Sequence, residues 1–454
     1  MSPRLQILTI GLLVVVVVVA ATLLSGFAST GGGPGSSLAA QRSGGPLASG
    51  APTVLVPTIP PTPTPRPSLG GTELYGYVPY WEMNGAVATY LRTAPLTTIG
   101  LFSVTARTTG AVDTRQLGYR RITGAIGAQF ITEAHDRGAR VELVFANFGA
   151  ARNLQFLSGL SIPKPTAAPA TAAPATIMPA ATVGPPTPLP TVAPPPIPPW
   201  HRTVTELVDL VTRLDLDGVN VDIEQMPDIL RPAYQEFLTA LRAALLEANP
   251  HAQLSVATEP GESGIANAAS ATKAGADRLF LMGYNYHWSG SDPGASAPID
   301  RLDGLATLRW SIDQYVNAGV PRDRILLGLP LYGMQWRATG PLRTYPVIGK
   351  GVTWIPSLHK DLLLDPTFLP DRDTYEHVEY FDRSDGPDWL ITYFDSPDTL
   401  RPKLALARDN GLAGAGFWAM GYDRGLPGYV DLMRAFRAGE VTRDEAPARP
   451  SPLP

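Results

Sequence analysis

From Leu214 to Met226 the chain reads LDLDGVNVDIEQM, and the fold turns on how that stretch alternates. Gly218, Asn220, Asp222 and Glu224 occupy the even positions, and Val219, Val221 and Ile223 the odd ones. Successive side chains of a β-strand point to opposite faces. One face is therefore wholly apolar and needs cover, while the other carries two carboxyl groups and an amide. Such a strand suits a barrel, with the apolar face under outer helices and the polar face lining the interior. Asp222 and Glu224 are about 6.6 Å apart at Cα, within reach of a shared hydrogen bond. Two carboxyl groups that close in a low dielectric do not both ionise cheaply, so one keeps its proton near neutral pH. That suits general acid catalysis. A solvated acidic strand conflicts with the flanking valines. A divalent cation held by Asp and Glu is a second reading of the same residues. No HExxH and no paired histidines stand near the acids, so nothing points to a transition metal.

Around this strand the sequence repeats one theme. Further strands are expected at Leu74–Val78, Thr98–Val104, Arg140–Ala146, Gln253–Thr258, Arg278–Tyr284, Ile325–Pro330 and Ala413–Trp418. Several are continuous apolar runs, as in strands buried on both faces of a parallel sheet. Amphipathic segments lie between them. Pro232–Glu247 is the clearest, with Phe237, Leu238, Leu241, Leu245 and Leu246 at helical spacing, and 203–214, 302–318 and 399–410 are similar. Eight strands alternating with helices predict an α/β fold, a (β/α)8 TIM barrel. Glu224 then ends its strand at the C-terminal rim, where active sites of such barrels sit. The span 339–391 breaks the alternation and reads as a small α+β insertion after the seventh strand.

Composition sets the outer limits. The chain has 454 residues, 44 glycines, 47 prolines, no cysteine and a net charge of −4. Without cysteine there are no disulfides, thiolate metal sites or cysteine nucleophiles. Nothing in the charge favours nucleic acid as a partner. Seven prolines fall between Ala51 and Gly70 and fourteen between Ser161 and Trp200, and both tracts read as extended spacers. The second interrupts what looks like one continuing fold, so it is expected to be a disordered insert in a loop after the third strand. Ile7–Phe27 is 21 residues without a charge, about 32 Å as a helix and long enough to cross a bilayer. Arg4 and the amino terminus favour an N-terminus inside and the remainder outside. Gly26-Phe27-Ala28 also offers a small-x-small cleavage site, so the segment is an anchor or a signal peptide. The expected organisation is an anchor or signal over 1–28, a linker over 29–70, and a barrel over 71–439. The barrel contains the insert 161–199 and the insertion 339–391, and a polar tail covers 440–454.

Several stretches resemble glycoside hydrolase family eighteen, the chitinase-type family, in the family's own order. Its D-x-x-D-x-D-x-E signature stands here as Asp217, Asn220, Asp222 and Glu224. LYGYVPYW (74–81) resembles the opening strand, and LFLMGYNYHW (279–288) the Met-x-Tyr-Asp motif. LLGLPLYGMQW (326–336) and GAGFWAMGYD (414–423) resemble the seventh and eighth strands. Asn stands at Asn220 and Asn285 where chitinases commonly have Asp. DGVN-x-D-x-E and VFANF (144–148) look most like the bacterial branch of spore-cortex-lytic enzymes acting on peptidoglycan; no LysM wall-binding repeat is visible.

The resemblance implies an exported, retaining hydrolase of β-1,4-linked N-acetylglucosamine polymers, peptidoglycan or chitin, working without a cofactor or a metal. It implies substrate-assisted catalysis, which explains why the residues alone offer an acid but no second carboxylate nucleophile. Glu224 would be the acid and base, Asp222 would orient the acetamido group, and Tyr284 would hydrogen-bond it. Asp217 and Asn220 would support Asp222, and Asn285 would help bind the sugar. Losing a charge at Asn220 should let Asp222 ionise more readily than in an all-Asp site. Trp418 would stack on a sugar ring. Tyr80, Trp81, Tyr286, Trp288, Tyr332 and Trp336 follow strand ends and are candidate subsite residues. His287 reads as packing rather than catalysis, and Glu259 as a solvated rim charge. The competing readings are a sugar-binding lectin on the same barrel and a structural surface module on a stalk. The expected working unit is a single chain, on the outer face of the membrane or secreted.

Overall fold

The computed structural model describes residues 71–160 and 197–441. Eight parallel strands close a barrel: β1 (Glu73–Pro79), β2 (Thr98–Val104), β3 (Arg140–Phe148), β4 (Gly218–Glu224), β5 (Gln253–Thr258), β6 (Arg278–Met282), β7 (Ile325–Pro330) and, after an interruption, β13 (Gly414–Trp418). Each hydrogen-bonds to its sequence neighbour, and β13 closes the ring between β7 and β1. Helices follow the strands and cover their outer faces. The helix Trp200–Arg213 buries Trp200, Val204, Leu207, Leu210 and Val211 as one stripe. Arg231–Ala248 does the same with Tyr234, Phe237, Leu238, Leu241 and Leu245, whereas Leu246, expected on that stripe, is exposed.

The segment expected to be helical over 302–318 becomes one only at Leu308–Asn317, because the Thr307 side chain accepts the Trp310 N–H and starts the helix there. At Pro397–Asp409, Ser396 and Thr399 form a capping box.

The barrel interior is filled by matching large residues to absent ones. A Cβ on Gly100 would come within 2.4 Å of the Tyr75 hydroxyl, and one on Gly328 within 2.3 Å of the Phe280 ring. These glycines are therefore the space into which the rings of Tyr75 and Phe280 pack, at the near-crystalline density of protein cores.

Between β7 and β13 the chain builds a second, antiparallel sheet. Its strands are β8 (Gly333–Ala338), β9 (Val352–Trp354), β10 (Asp371–Asp373), β11 (Val378–Asp385) and β12 (Asp388–Phe394), in the order β10-β11-β12-β8-β9. The insertion expected over 339–391 is wider: the sheet that breaks the strand–helix alternation runs from Gly333 to Phe394. A buried Lys403–Asp395 ion pair, supported by Thr399 Oγ1 on the same carboxylate, holds the helix Pro397–Asp409 to the end of β12.

Among the described residues no helix is long and apolar enough to cross a membrane. The run Ile7–Phe27, the linker, most of the Pro-rich insert and most of the tail lie outside them.

Candidate active site

The alternation of β4 is realised in three dimensions. Val219, Val221 and Ile223 are buried toward the helices, and Asn220 and Asp222 are buried within the barrel. Glu224 ends the strand half-exposed at the C-terminal rim. The flanking strands leave room above the acids: Asp222 is paired with Ala146 on β3 and Ala257 on β5. Phe148 is the partner of Glu224.

Each polar group on this face has a definite environment. The Tyr77 hydroxyl donates to Asn220 Oδ1 at 3.1 Å. Asp222 Oδ1 is buried with no hydrogen-bond partner, so that oxygen does not form the expected bridge to Glu224. The two acids are linked through charge instead. Burial pushes both carboxyl groups up; the charge of Asp222, then that of Glu259, raises Glu224 further. Burial and the neighbouring charges thus favour the protonated form of Glu224.

Glu259 corrects the sequence reading. It is not a solvated charge: Oε1 accepts the Gln225 N–H at 3.0 Å and Oε2 is buried without a partner. Burial raises its carboxyl too. The face of β5 that pairs with Asn220 and Asp222 carries Ser255 and Ala257, and Glu259 is next in that parity. The charge lost at Asn220 is thus matched by one from the neighbouring strand. Burial first, and then this charge, push Asp222 up.

The peptide after Glu224 is held at both ends. Its carbonyl accepts from Asn153 Nδ2 at 2.7 Å and from Gly149 N at 3.2 Å, and Asn147 Nδ2 donates to Asn153 Oδ1 at 2.7 Å. Its N–H goes to Glu259. Gln225 itself is left-handed, with φ 57°. Asn153 lies in the helix Ala150–Ser158 and has no sequence pattern to reveal it; Asn147 and Glu259 have only strand-end positions.

A mouth of aromatic side chains surrounds the acids. Trp418 packs edge-on to Phe102 at 4.7 Å and lies 5.5 Å from Tyr77 and 6.3 Å from Trp81. Tyr80 meets Trp81 edge-on, and Trp81 Nε1 donates to Tyr422. Trp81 is 38% exposed, an accessible ring at the rim. Phe102, Phe148 and Tyr422 are members of this cluster that the sequence reading missed. Across the mouth, Tyr284 and Tyr332 are 6.1 Å apart, and the Tyr332 hydroxyl donates to Asn285 Oδ1 at 2.6 Å. Burial, then Tyr77, Tyr332 and the charges of Asp222 and Glu224, hold the Tyr284 hydroxyl well above the ordinary phenol range. Tyr284 is therefore in the electrostatic company of the two acids.

Four expected site residues stand elsewhere. Asp217 precedes β4, and five residues along a strand put its Cα about 16 Å from that of Asp222. Its Oδ2 accepts the Val141 N–H at 2.7 Å and lies 3.0 Å from His135 Nε2, which ties β3 and the helix Ala125–Asp136 to the foot of β4. Trp336 is 0% exposed on β8, packed against Tyr393 inside the second sheet, where no sugar reaches it. Tyr286 gives its hydroxyl to Ser311 on the following helix. Trp288 is half-buried in its own loop, its N–H capped by Ser291. His287 is buried beside Glu376 with Nδ1 2.8 Å from the Asp292 carbonyl, a packing position, and burial lowers its pKa.

No group of three His, Asp or Glu side chains among the described residues is arranged to hold a metal ion.

Residues 201–423 match the family described as Glycosyl hydrolases family 18, the family that the chain's motifs resemble. A class V chitinase of Lotus japonicus is 30% identical over 147 residues, 31% of this chain and 36% of that protein. Endochitinase 1 of Metarhizium robertsii is 27% identical over 233 residues, 46% of this chain and 53% of that one. The chain thus spans between a third and about half of these relatives. The spore cortex-lytic enzyme SleL of Bacillus cereus shares the fold, with TM-score 0.58 and 18% identity over 82% of this chain and 74% of its own.

Proposed function

From a barrel whose residues 201–423 match Glycosyl hydrolases family 18, we propose a glycosidase that cleaves β-1,4-linked N-acetylglucosamine polymers, peptidoglycan or chitin. The observation that carries this reading is Glu224. It ends β4 at the C-terminal rim, burial and the charge of Asp222 favour its proton, and Tyr77, Tyr284 and Tyr332 are within reach of its charge. An acid that stays protonated near neutral pH is what a leaving glycosidic oxygen requires.

In the mechanism that follows from this reading, the acetamido oxygen of the substrate attacks its own anomeric carbon while Glu224 protonates the leaving oxygen. An internal nucleophile held in attack geometry gains a high effective molarity. Asp222 and Tyr284 orient the acetamido group, Asn285 helps bind the sugar, and Trp418 floors its ring. The resulting Glu224 carboxylate then takes a proton from the water that opens the oxazolinium ion. The configuration at the anomeric carbon is retained. Asn220 supports Asp222 from below, its carbonyl fixed by Tyr77. Tyr80, Trp81 and Tyr332 offer further sugar contacts at the rim.

The uncharged run Ile7–Phe27 supports export, with the barrel on the outer face of the membrane or released from it. The test is hydrolysis of chitin oligomers and of purified peptidoglycan by the full chain, with new reducing ends read by mass and Glu224→Gln beside it. The reading expects cleavage after N-acetylglucosamine that the variant loses. Cleavage that survives the substitution removes Glu224 from the role, and tight binding of the oligomers without cleavage by the unaltered chain makes the barrel a lectin.

A further inference from the structure

The proposed reaction leaves one carboxyl group beside it unused. Glu259 follows β5, and its backbone is anchored from outside the barrel: the hydroxyl of Tyr315, on the helix Leu308–Asn317, donates to the Glu259 carbonyl at 2.8 Å. Its side chain reaches across to the end of β4. There the peptide between Glu224 and Gln225 turns left-handed at Gln225, a conformation disfavoured for a residue with a Cβ. Gly149 and Asn153 hold the carbonyl of that peptide, and Glu259 Oε1 holds its N–H. The donor that Glu259 accepts is thus the first backbone group after the proposed acid.

We infer that Glu259 is a positioning residue for Glu224, its carboxylate fixing through the Gln225 N–H the turn from which that side chain projects. A neutral acceptor would hold the same N–H. The second oxygen, Oε2, is buried without a partner, an arrangement that a purely structural cap does not need and that costs desolvation. What the carboxylate adds is a negative charge beside Asp222 and Glu224. The titratable groups that face Glu259 are these two acids, Tyr234 on the helix Arg231–Ala248, and Tyr315. Glu224 in addition faces Tyr77, Tyr284 and Tyr332. All of these groups are neutral or negative, so nothing local cancels the charge of Glu259 when it is ionised, and that charge favours the protonated form of Glu224.

The kinetic consequence rests on the hydrolytic reading, but the structural one does not. The experiment therefore follows two signals in the full chain that need no turnover. One is the 13C resonance of the Glu224 carboxyl group through a pH titration, assigned by its loss in Glu224→Gln. The other is hydrogen exchange of the Gln225 amide. Glu259→Ala should speed that exchange at least tenfold, whereas Glu259→Gln, which keeps an acceptor, should leave it slow. Both substitutions should lower the Glu224 midpoint by about one pH unit. With an active enzyme, the alkaline limb of kcat in Glu259→Gln should move to lower pH by the same amount with KM little changed. An unchanged Glu224 midpoint in Glu259→Gln, or an equally protected Gln225 amide in Glu259→Ala, overturns the inference. If the unaltered chain cleaves no sugar, the functional reading fails, while the two resonance measurements still decide the positioning role.

Discussion

Two sets of buried carboxyl groups stand inside the same barrel, and their surroundings differ. On the floor, Glu142 of β3 is 0% exposed, and both of its oxygens are bound: Oε2 by the Tyr75 hydroxyl at 3.0 Å and Oε1 by Ser255 Oγ at 2.8 Å. At the rim, Asp222 Oδ1 and Glu259 Oε2 are buried with no partner. Burial raises all of these groups, Glu142 to about 8. Of these acids only Glu142 has both oxygens bound; Glu259 has a partner on Oε1 alone. An unsatisfied buried polar atom costs of order 1–3 kcal/mol, so a protein keeps one where something other than stability needs it. The difference separates a carboxyl group that builds the barrel from carboxyl groups arranged to work.

The largest effect that separates the two sets is Glu224→Gln, which should reduce hydrolysis by about 10²–10⁴ at an unchanged melting temperature. Asp222→Ala comes next. Loss of its charge removes one of the causes that raise Glu224, so the alkaline limb of the pH–rate profile should move to lower pH while the rate falls about a hundredfold. A profile that moves up instead would mean that Asp222 stays neutral in the working enzyme.

Glu142→Gln is expected to act on stability. The folded protein holds the Glu142 proton up to about pH 8, whereas an unfolded chain releases it near the ordinary carboxyl value of 4.5. Between those values the folded state binds more protons, so the contribution is present below the unfolded pKa and is lost as pH rises through the folded one. Chemical denaturation of the unaltered chain should therefore show stability falling between about pH 5 and pH 8. Glu142→Gln should flatten that fall and cost about 1–3 kcal/mol at acid pH, with kcat retained. The smallest effect belongs to Asp217→Ala, about 1 kcal/mol of stability through the lost Val141 contact and no change in kcat. A loss of turnover at full stability would return Asp217 to the site.

The sequence makes the barrel legible because its information lies in short periods. The even–odd split of Gly218–Glu224 sets the faces of β4, and apolar runs such as Ile325–Pro330 mark strands covered on both sides. The site is legible where a residue sits inside such a pattern. Glu259 belongs to the same parity as Ser255 and Ala257, but it falls after the strand and before Pro260, where a charge looks like a loop residue. Its burial depends on Gln225 arriving from another strand, and no local period records that. Trp336 shows the reverse case. It follows a strand of the barrel closely, yet its own strand pairs with β12 and encloses the ring in the second sheet. Asp217 shares a motif with Glu224, but the length of a strand keeps it from sharing a site. Asn153 is a buried polar residue on a helix, and nothing in its neighbours announces that it will meet the carbonyl of Glu224.

The most direct measurement sets the two kinds of carboxyl group side by side. Glu142→Gln and Glu224→Gln are compared in the full chain for turnover of an N-acetylglucosamine oligomer and for unfolding free energy at pH 5 and pH 8. The account predicts that the floor variant keeps its turnover and loses stability most at pH 5, while the rim variant loses its turnover and keeps its fold. If Glu142→Gln abolishes turnover in a folded chain, or Glu224→Gln leaves it intact, the division between building and working acids is wrong.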